Sequence, residues 1–280
     1  MPAHAKAVLS FAALFLAGCA TAEPGALTDR NGWLIQRETL QQQGRKIELF
    51  LAKPASPGRA PVVLFIHGHQ RGPRNGGEIY VASGRLGIMA RRGYVAAALS
   101  QPGYGNSDGP ADFCGPVTQD AALLAIEYLR GRPFVDADRI VLYGYSRGAI
   151  VAAMVATRDA RLAAVVLGAG AYDFFRWYPT PLRGIDGNIE SEAGTSAAAF
   201  RARSALYHAD RIRAPVLLLH GERDERIPVQ QAEAFAAQLA ARGVRVRLKV
   251  FPNAMHSIPS EEQYREVYPF LERVLTAVKE

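Results

Sequence analysis

The sequence predicts an α/β fold: a mostly parallel, doubly wound sheet with an antiparallel N-terminal hairpin and a small helical cap. Three observations carry that reading. From Pro61 onward, short and solidly apolar runs alternate with longer stretches of helix formers, as a sheet covered by helices on both faces requires. Ahead of Pro61, two strand-like runs flank a turn. Between Leu167 and Val216 there is far more chain than a crossover helix needs.

In chain order, the hairpin comes first, with Trp33–Leu40 and Lys46–Ala52 as its arms and Gln41-Gln42-Gln43-Gly44 as its turn. Strand candidates follow at Val62–Ile66, Tyr94–Leu99, Ile140–Tyr143, Ala163–Leu167, Val216–Leu219 and Val244–Phe251. Helix candidates lie near Ser83–Arg92, Thr118–Leu129, Ala149–Thr157 and Val229–Ala241, with a last one from Glu261 to about Val278. No internal repeat is present. The long interval, Phe174 to about His208, reads as the cap over the strand ends, where folds of this class place their binding sites. It opens with Phe174-Phe175-Arg176-Trp177-Tyr178, rings that either anchor the cap or face a substrate. Phe174, Trp177 and Tyr178 are therefore candidate pocket residues, together with Tyr145.

Gly144-Tyr145-Ser146-Arg147-Gly148 stands between the apolar run Arg139–Tyr143 and the helix former Ala149–Ala156. Strand, G-x-S-x-G and helix together make a nucleophile elbow, whose tight turn leaves no room for a Cβ at either glycine. The strained turn lifts the Ser146 hydroxyl above the sheet, beside the first amides of the helix. Gly105-Asn106-Ser107-Asp108-Gly109 spells the same pattern without a strand before it or a helix directly after it, and is read as a chance match in a loop.

A serine hydroxyl needs a base, and the base an orienting acid. Chain order for such an elbow is Ser, then Asp or Glu, then His. Of the histidines after Ser146, His256 lies in the loop between the last strand and the final helix, the position expected for the base. His220 directly follows the strand Val216–Leu219 and reads as a turn brace, and His208 as a structural residue at the cap exit. Asp224, in the segment His220-Gly221-Glu222-Arg223-Asp224 that follows that strand, is the expected acid. Glu222 and Glu225 compete with it but sit beside Arg223 and Arg226, as exposed ion pairs do. Asp173 is the alternative from the preceding strand. The oxyanion needs two backbone donors, expected from Arg147 and, in His67-Gly68-His69-Gln70, from His69. His67 and His69 have metal-pair spacing, but no carboxylate-rich motif accompanies them. No metal or other cofactor is expected.

These segments, with His220-Gly221-Glu222-Arg223-Asp224 and Asn253-Ala254-Met255-His256, resemble the α/β-hydrolase superfamily. They look most like prolyl-oligopeptidase-type catalytic domains and the related dienelactone-hydrolase-like esterases, over roughly Pro61 to the C-terminus. The resemblance implies Ser146 as nucleophile, His256 as base and Asp224 as orienting acid. Such oligopeptidases carry a β-propeller ahead of the catalytic domain. Here about forty residues precede the sheet after signal removal, so neither the propeller nor its acidic grip is expected. Ser100 stands where many relatives have aspartate. Hydrolysis of small carboxylic esters is the first expectation, and cleavage of short peptides or acylated amines the alternative. A non-catalytic envelope protein of the same fold is the third.

The ends and bulk properties set the remaining expectations. Ala7–Ala17 is apolar apart from Ser10, too short to span a bilayer as a helix. It leads into Leu16-Ala17-Gly18-Cys19, which resembles the lipobox of bacterial lipoproteins. That resemblance implies a signal peptide over 1–18 and lipidation of Cys19. A tether over 19–28, a hydrolase domain over 29–280 with the cap at about 174–208, and a periplasm-facing, membrane-anchored protein follow. The other reading is a secretory signal cut near Ala20 or Ala22. Cys114, the second of two cysteines, is then a free thiol. A net charge of +7 is carried by scattered arginines with no basic helix, so no nucleic-acid partner is expected. Arg147, Arg71 and Arg74 are read as surface residues, or else as a preference for acidic substrates. Oligomeric state is not legible.

Overall fold

In the strand Ala60–Ile66, Val62, Leu64 and Ile66 enter one hydrophobic core and Val63 and Phe65 another. Both faces of the strand are thus covered, which is why its sequence shows no polar alternation. The computed structural model describes residues 27–276. The expected signal peptide, Cys19 and most of the tether lie outside the described residues.

Among the described residues, nine strands form one sheet: β1 (Leu27–Thr28), β2 (Leu34–Gln42), β3 (Arg45–Ala52), β4 (Ala60–Ile66), β5 (Val95–Leu99), β6 (Val135–Tyr145), β7 (Ala164–Gly168), β8 (Val216–Gly221) and β9 (Val246–Phe251). Their spatial order is β1-β2-β3-β5-β4-β6-β7-β8-β9. β1, β2, β3 and β5 pair antiparallel in turn, and every pair from β5 to β9 is parallel. Leu27 and Thr28, expected in the tether, instead pair with Ile35 and Leu34.

The helices are α1 (Glu78–Ala82), α2 (Arg85–Arg91), α3 (Pro116–Arg130), α4 (Arg147–Ala156), α5 (Phe174–Trp177), α6 (Arg183–Glu192), α7 (Ala197–Arg201), α8 (Gln230–Ala241) and α9 (Ser260–Thr276). α3, α4 and α8 pack on one face of the sheet, and α1, α2 and α9 on the other. α5, α6 and α7, with a 3₁₀ turn at Ala205–Arg211, fill the interval between β7 and β8 expected to form the cap. The chain reverses direction of travel across the sheet at β4, which lies between β5 and β6. Binding sites in open α/β sheets gather at the carboxyl ends of strands beside such a switch point.

Ser100, just after β5, is held from two sides. Its hydroxyl donates to Glu48 Oε2 at 2.6 Å and accepts from the Gly77 amide at 2.8 Å. Glu48, buried on the adjacent β3, thus brings a carboxylate to that turn, and it also holds Asn106 and Arg37. Ser107 of the second G-x-S-x-G donates to the Ser100 carbonyl and accepts from the Glu48 amide. That serine fastens a loop.

Candidate active site

Ser146 has φ 55° and ψ −122°, a left-handed backbone that costs a non-glycine residue about 1–3 kcal/mol. The neighbours over-determine it. The Ser146 amide donates to the Gly168 carbonyl at 2.7 Å. A Cβ on Gly148 would overlap the Ile66 carbonyl, and one on Gly144 the Gly148 carbonyl. The elbow therefore lies flat between β4 and α4, with the hydroxyl raised at the start of the helix.

The structure brings Ser146, His256 and Asp224 into one chain of hydrogen bonds. Ser146 Oγ lies 2.9 Å from His256 Nε2, and His256 Nδ1 lies 2.8 and 3.0 Å from the two Asp224 oxygens. A carboxylate only accepts, so Nδ1 carries the proton and Nε2 presents its lone pair to the hydroxyl. Asp224 also accepts the amides of Arg226 and Ile227. Burial works to raise its pKa, but the hydrogen bonds from His220 and His256 outweigh it and hold the carboxyl well below its ordinary value. His220 Nε2 faces both the Ile227 carbonyl, at 2.8 Å, and Asp224 Oδ2, at 3.2 Å. The expected turn brace is thus also a second imidazole on the acid, which sequence spacing alone did not disclose.

The rival acids sit elsewhere. Asp173 caps α5 through the Phe175 amide and accepts from Tyr207. Glu225 accepts the His256 amide and Glu222 the Asn253 amide, so both hold the backbone of the histidine loop and leave its ring to Asp224. His208 meets the Arg201 carbonyl at 3.3 Å.

Among the described residues, the amides of Arg147 and His69 donate to no protein acceptor. Gly68 packs so closely on the elbow that a Cβ there would lie 3.2 Å from Ser146 Cβ, and the next residue, His69, lines the same cavity as Ser146. His67 is committed on both nitrogens, Nδ1 to the Gly68 carbonyl and Nε2 to the Gln101 amide. Burial lowers its pKa to about 4, so it braces this loop as a neutral ring. Cys114 is a buried thiol donating to the Arg147 carbonyl, its pKa pushed up to about 11 by burial.

A cavity of about 350 Å³ opens on Ser146 and His256. Of the four candidate pocket rings, only Trp177 lines it; its indole donates to the Arg226 carbonyl. Tyr145 lines a second depression that Ser146 also borders and ties the histidine loop, donating to the His256 carbonyl at 2.6 Å. Phe174 is fully buried against Phe113, Trp177 and Phe200, so it anchors the cap. Tyr178 packs on Phe200 and bonds Glu190, away from the cavity. The apolar walls come instead from Phe113, Ile150, Leu182, Ile185 and Ile227, which sequence reasoning missed because tertiary packing alone assembles them.

Arg147 is not a surface residue. Its guanidinium is buried, lies 4.1 Å over the Phe113 ring and pairs with Glu192 at the end of α6. It reaches the Tyr104 hydroxyl and His69 Nδ1, each at 3.3 Å. The ion pair thereby joins cap, elbow and oxyanion loop. Arg71 reaches the cavity, whereas Arg74 lies over the Tyr104 ring.

An alcohol, an imidazole and a carboxylate so aligned can carry out acyl transfer. The sequence pattern of the prolyl oligopeptidase family matches residues 82–277. The chain belongs to that family. This family member is 27% identical over 231 residues to an uncharacterized peptidase, YtmA, of Bacillus subtilis, covering 80% of this chain and 86% of that protein. It is 28% identical to dipeptidyl-peptidase 5 of Porphyromonas gingivalis over 77% of this chain but spans only 34% of that relative. A puromycin-hydrolyzing peptidase of Mycobacterium tuberculosis shares the fold, with a TM-score of 0.78 at 22% identity, covering 89% of this chain and 40% of that one. All three of these proteins are named as peptidases, and the chain spans only about a third to two fifths of the length of the last two.

Proposed function

We propose that this protein is a serine hydrolase of short peptides or acylated amines, with small esters as secondary substrates. The observation that carries the chemistry is the relay from Ser146 Oγ, 2.9 Å from His256 Nε2, to Asp224. The preference for amides rests on the peptidase relatives. A cavity of about 350 Å³ lies at the small end of the ~300–1,000 Å³ range of small-molecule sites, which favours short substrates.

In the proposed reaction His256 Nε2 takes the Ser146 proton as Oγ attacks the carbonyl carbon. The oxyanion rests on the amides of Arg147 and His69, each such donor being worth about 3–4 kcal/mol. His256 then gives its proton to the leaving nitrogen, the C–N bond breaks, and an acyl-serine remains. Water, deprotonated by His256, attacks that ester and regenerates Ser146. Asp224 keeps the imidazole in the required tautomer throughout.

The test compares aminoacyl p-nitroanilides with short-chain p-nitrophenyl esters. Ser146→Ala is expected to lower kcat by at least about 10⁴-fold on both. Retained turnover in that variant contradicts the mechanism, and ester turnover without any amide turnover contradicts the peptidase preference.

A further inference from the structure

We infer that the active-site cavity selects substrates bearing a carboxylate next to the acyl group it cleaves. This rests on the hydrolase reading above and adds the substrate class. Four arginines, Arg71, Arg147, Arg183 and Arg226, are among the residues that line the cavity, and no Asp or Glu of the described residues is. Arg147 is neutralised by Glu192, and Arg226 Nε lies 3.3 Å from Glu225 Oε1. Arg71 and Arg183 have no acidic partner within 4 Å among the described residues.

These two residues come from different elements and line the same cavity. Arg71 follows the oxyanion loop, and Arg183 opens α6 of the cap. Asp186, the acid in the first turn of α6, turns to the Thr180 amide at 2.7 Å. The remaining walls are largely apolar, and low-dielectric walls concentrate the field of an uncompensated charge. Guanidinium forks match a carboxylate geometrically. Both side chains are exposed, where they can meet an incoming substrate. A carboxylate would bridge loop and cap.

The carboxylate has two sources in a peptide, an acidic side chain or the free carboxyl terminus. Ala-Glu-p-nitroanilide against Ala-Gln-p-nitroanilide tests the first, and a tripeptide acid against its C-terminal amide tests the second. At low salt the carboxylate member of at least one pair is expected to show about tenfold higher kcat/KM. That ratio should shrink as salt is added and approach one in Arg71→Gln/Arg183→Gln. Ratios of one or less in both pairs overturn the inference, as does a preference that survives the double variant. Calorimetry of acetyl-glutamate against acetyl-glutamine amide, which has no carboxylate, on Ser146→Ala reads the same selection without turnover. If no substrate is cleaved but acetyl-glutamate still binds more tightly, the hydrolase reading fails and the acidic selection stands. Equal binding of the two ligands overturns the selection.

Discussion

His67 shows how far a single residue can be committed to the site without entering the chemistry. It is fully buried, donates from Nδ1 to Gly68 and accepts at Nε2 from Gln101. A proton on Nε2 would break the Gln101 contact and place a charge in an apolar site near the Arg147 guanidinium. Burial first, and that guanidinium, bring its pKa down from 6.5 to about 4 against the opposing Gly68 hydrogen bond. Between those two values the unfolded chain binds a proton that the folded protein refuses, so folding stability falls as pH drops from about 6.5 to about 4. Below that window both states are protonated and the loss is complete, at about 3 kcal/mol. Urea unfolding of wild type and His67→Asn at several pH values checks this: the variant should show a markedly flatter decline over the window. An identical slope in the two proteins contradicts it.

At the level of elements, the Arg147–Glu192 pair links α6 to α4. Both side chains are about nine-tenths buried, at 8% and 11% exposure, so solvent screens the pair little. Glu192 also accepts the Phe113 amide at 3.2 Å, and Arg147 lies on that residue's ring. Removing only the acid strands a buried cation. Glu192→Gln should therefore cost about 3–5 kcal/mol of stability, and the oxyanion loop that His69 shares with Arg147 should loosen with it. Replacing both partners by methionine should recover most of that loss, since paired buried ions are often matched by apolar groups of similar volume. A double-mutant cycle in urea measures it. If the double variant is no more stable than Glu192→Gln alone, the cost does not come from the stranded charge.

Over the whole molecule, what was legible in the sequence divides by the range of the forces involved. The elbow was legible because its constraints are local: the glycines at 144 and 148 meet backbone carbonyls through a turn whose strand and helix flank it directly. The core strands were legible from apolar runs such as Val62–Ile66 and Val216–Leu219, each covered on both faces. Asp224 and His256 were legible because loop position after β8 and β9 is set by connectivity. The cavity wall was not. Phe113, Ile150 and Ile185 lie far apart in sequence and share no spacing, and Phe174 and Tyr178 look like pocket rings while serving as packing anchors. The burial of Arg147 was equally hidden, because its partner lies 45 residues away on a helix that only the folded cap brings near. Glu48 beside Ser100 is a similar case, since its carboxylate reaches that turn from the neighbouring strand β3.

All of this turns on Ser146 being the atom that attacks. Intact-protein mass spectrometry after incubation with a fluorophosphonate, followed by peptide mapping, reads that directly. One phosphonyl adduct on Ser146, absent from Ser146→Ala and slowed about 10³-fold or more in His256→Ala, is the predicted result. No adduct on the folded protein, or an adduct on another residue with Ser146 unmodified, would contradict it.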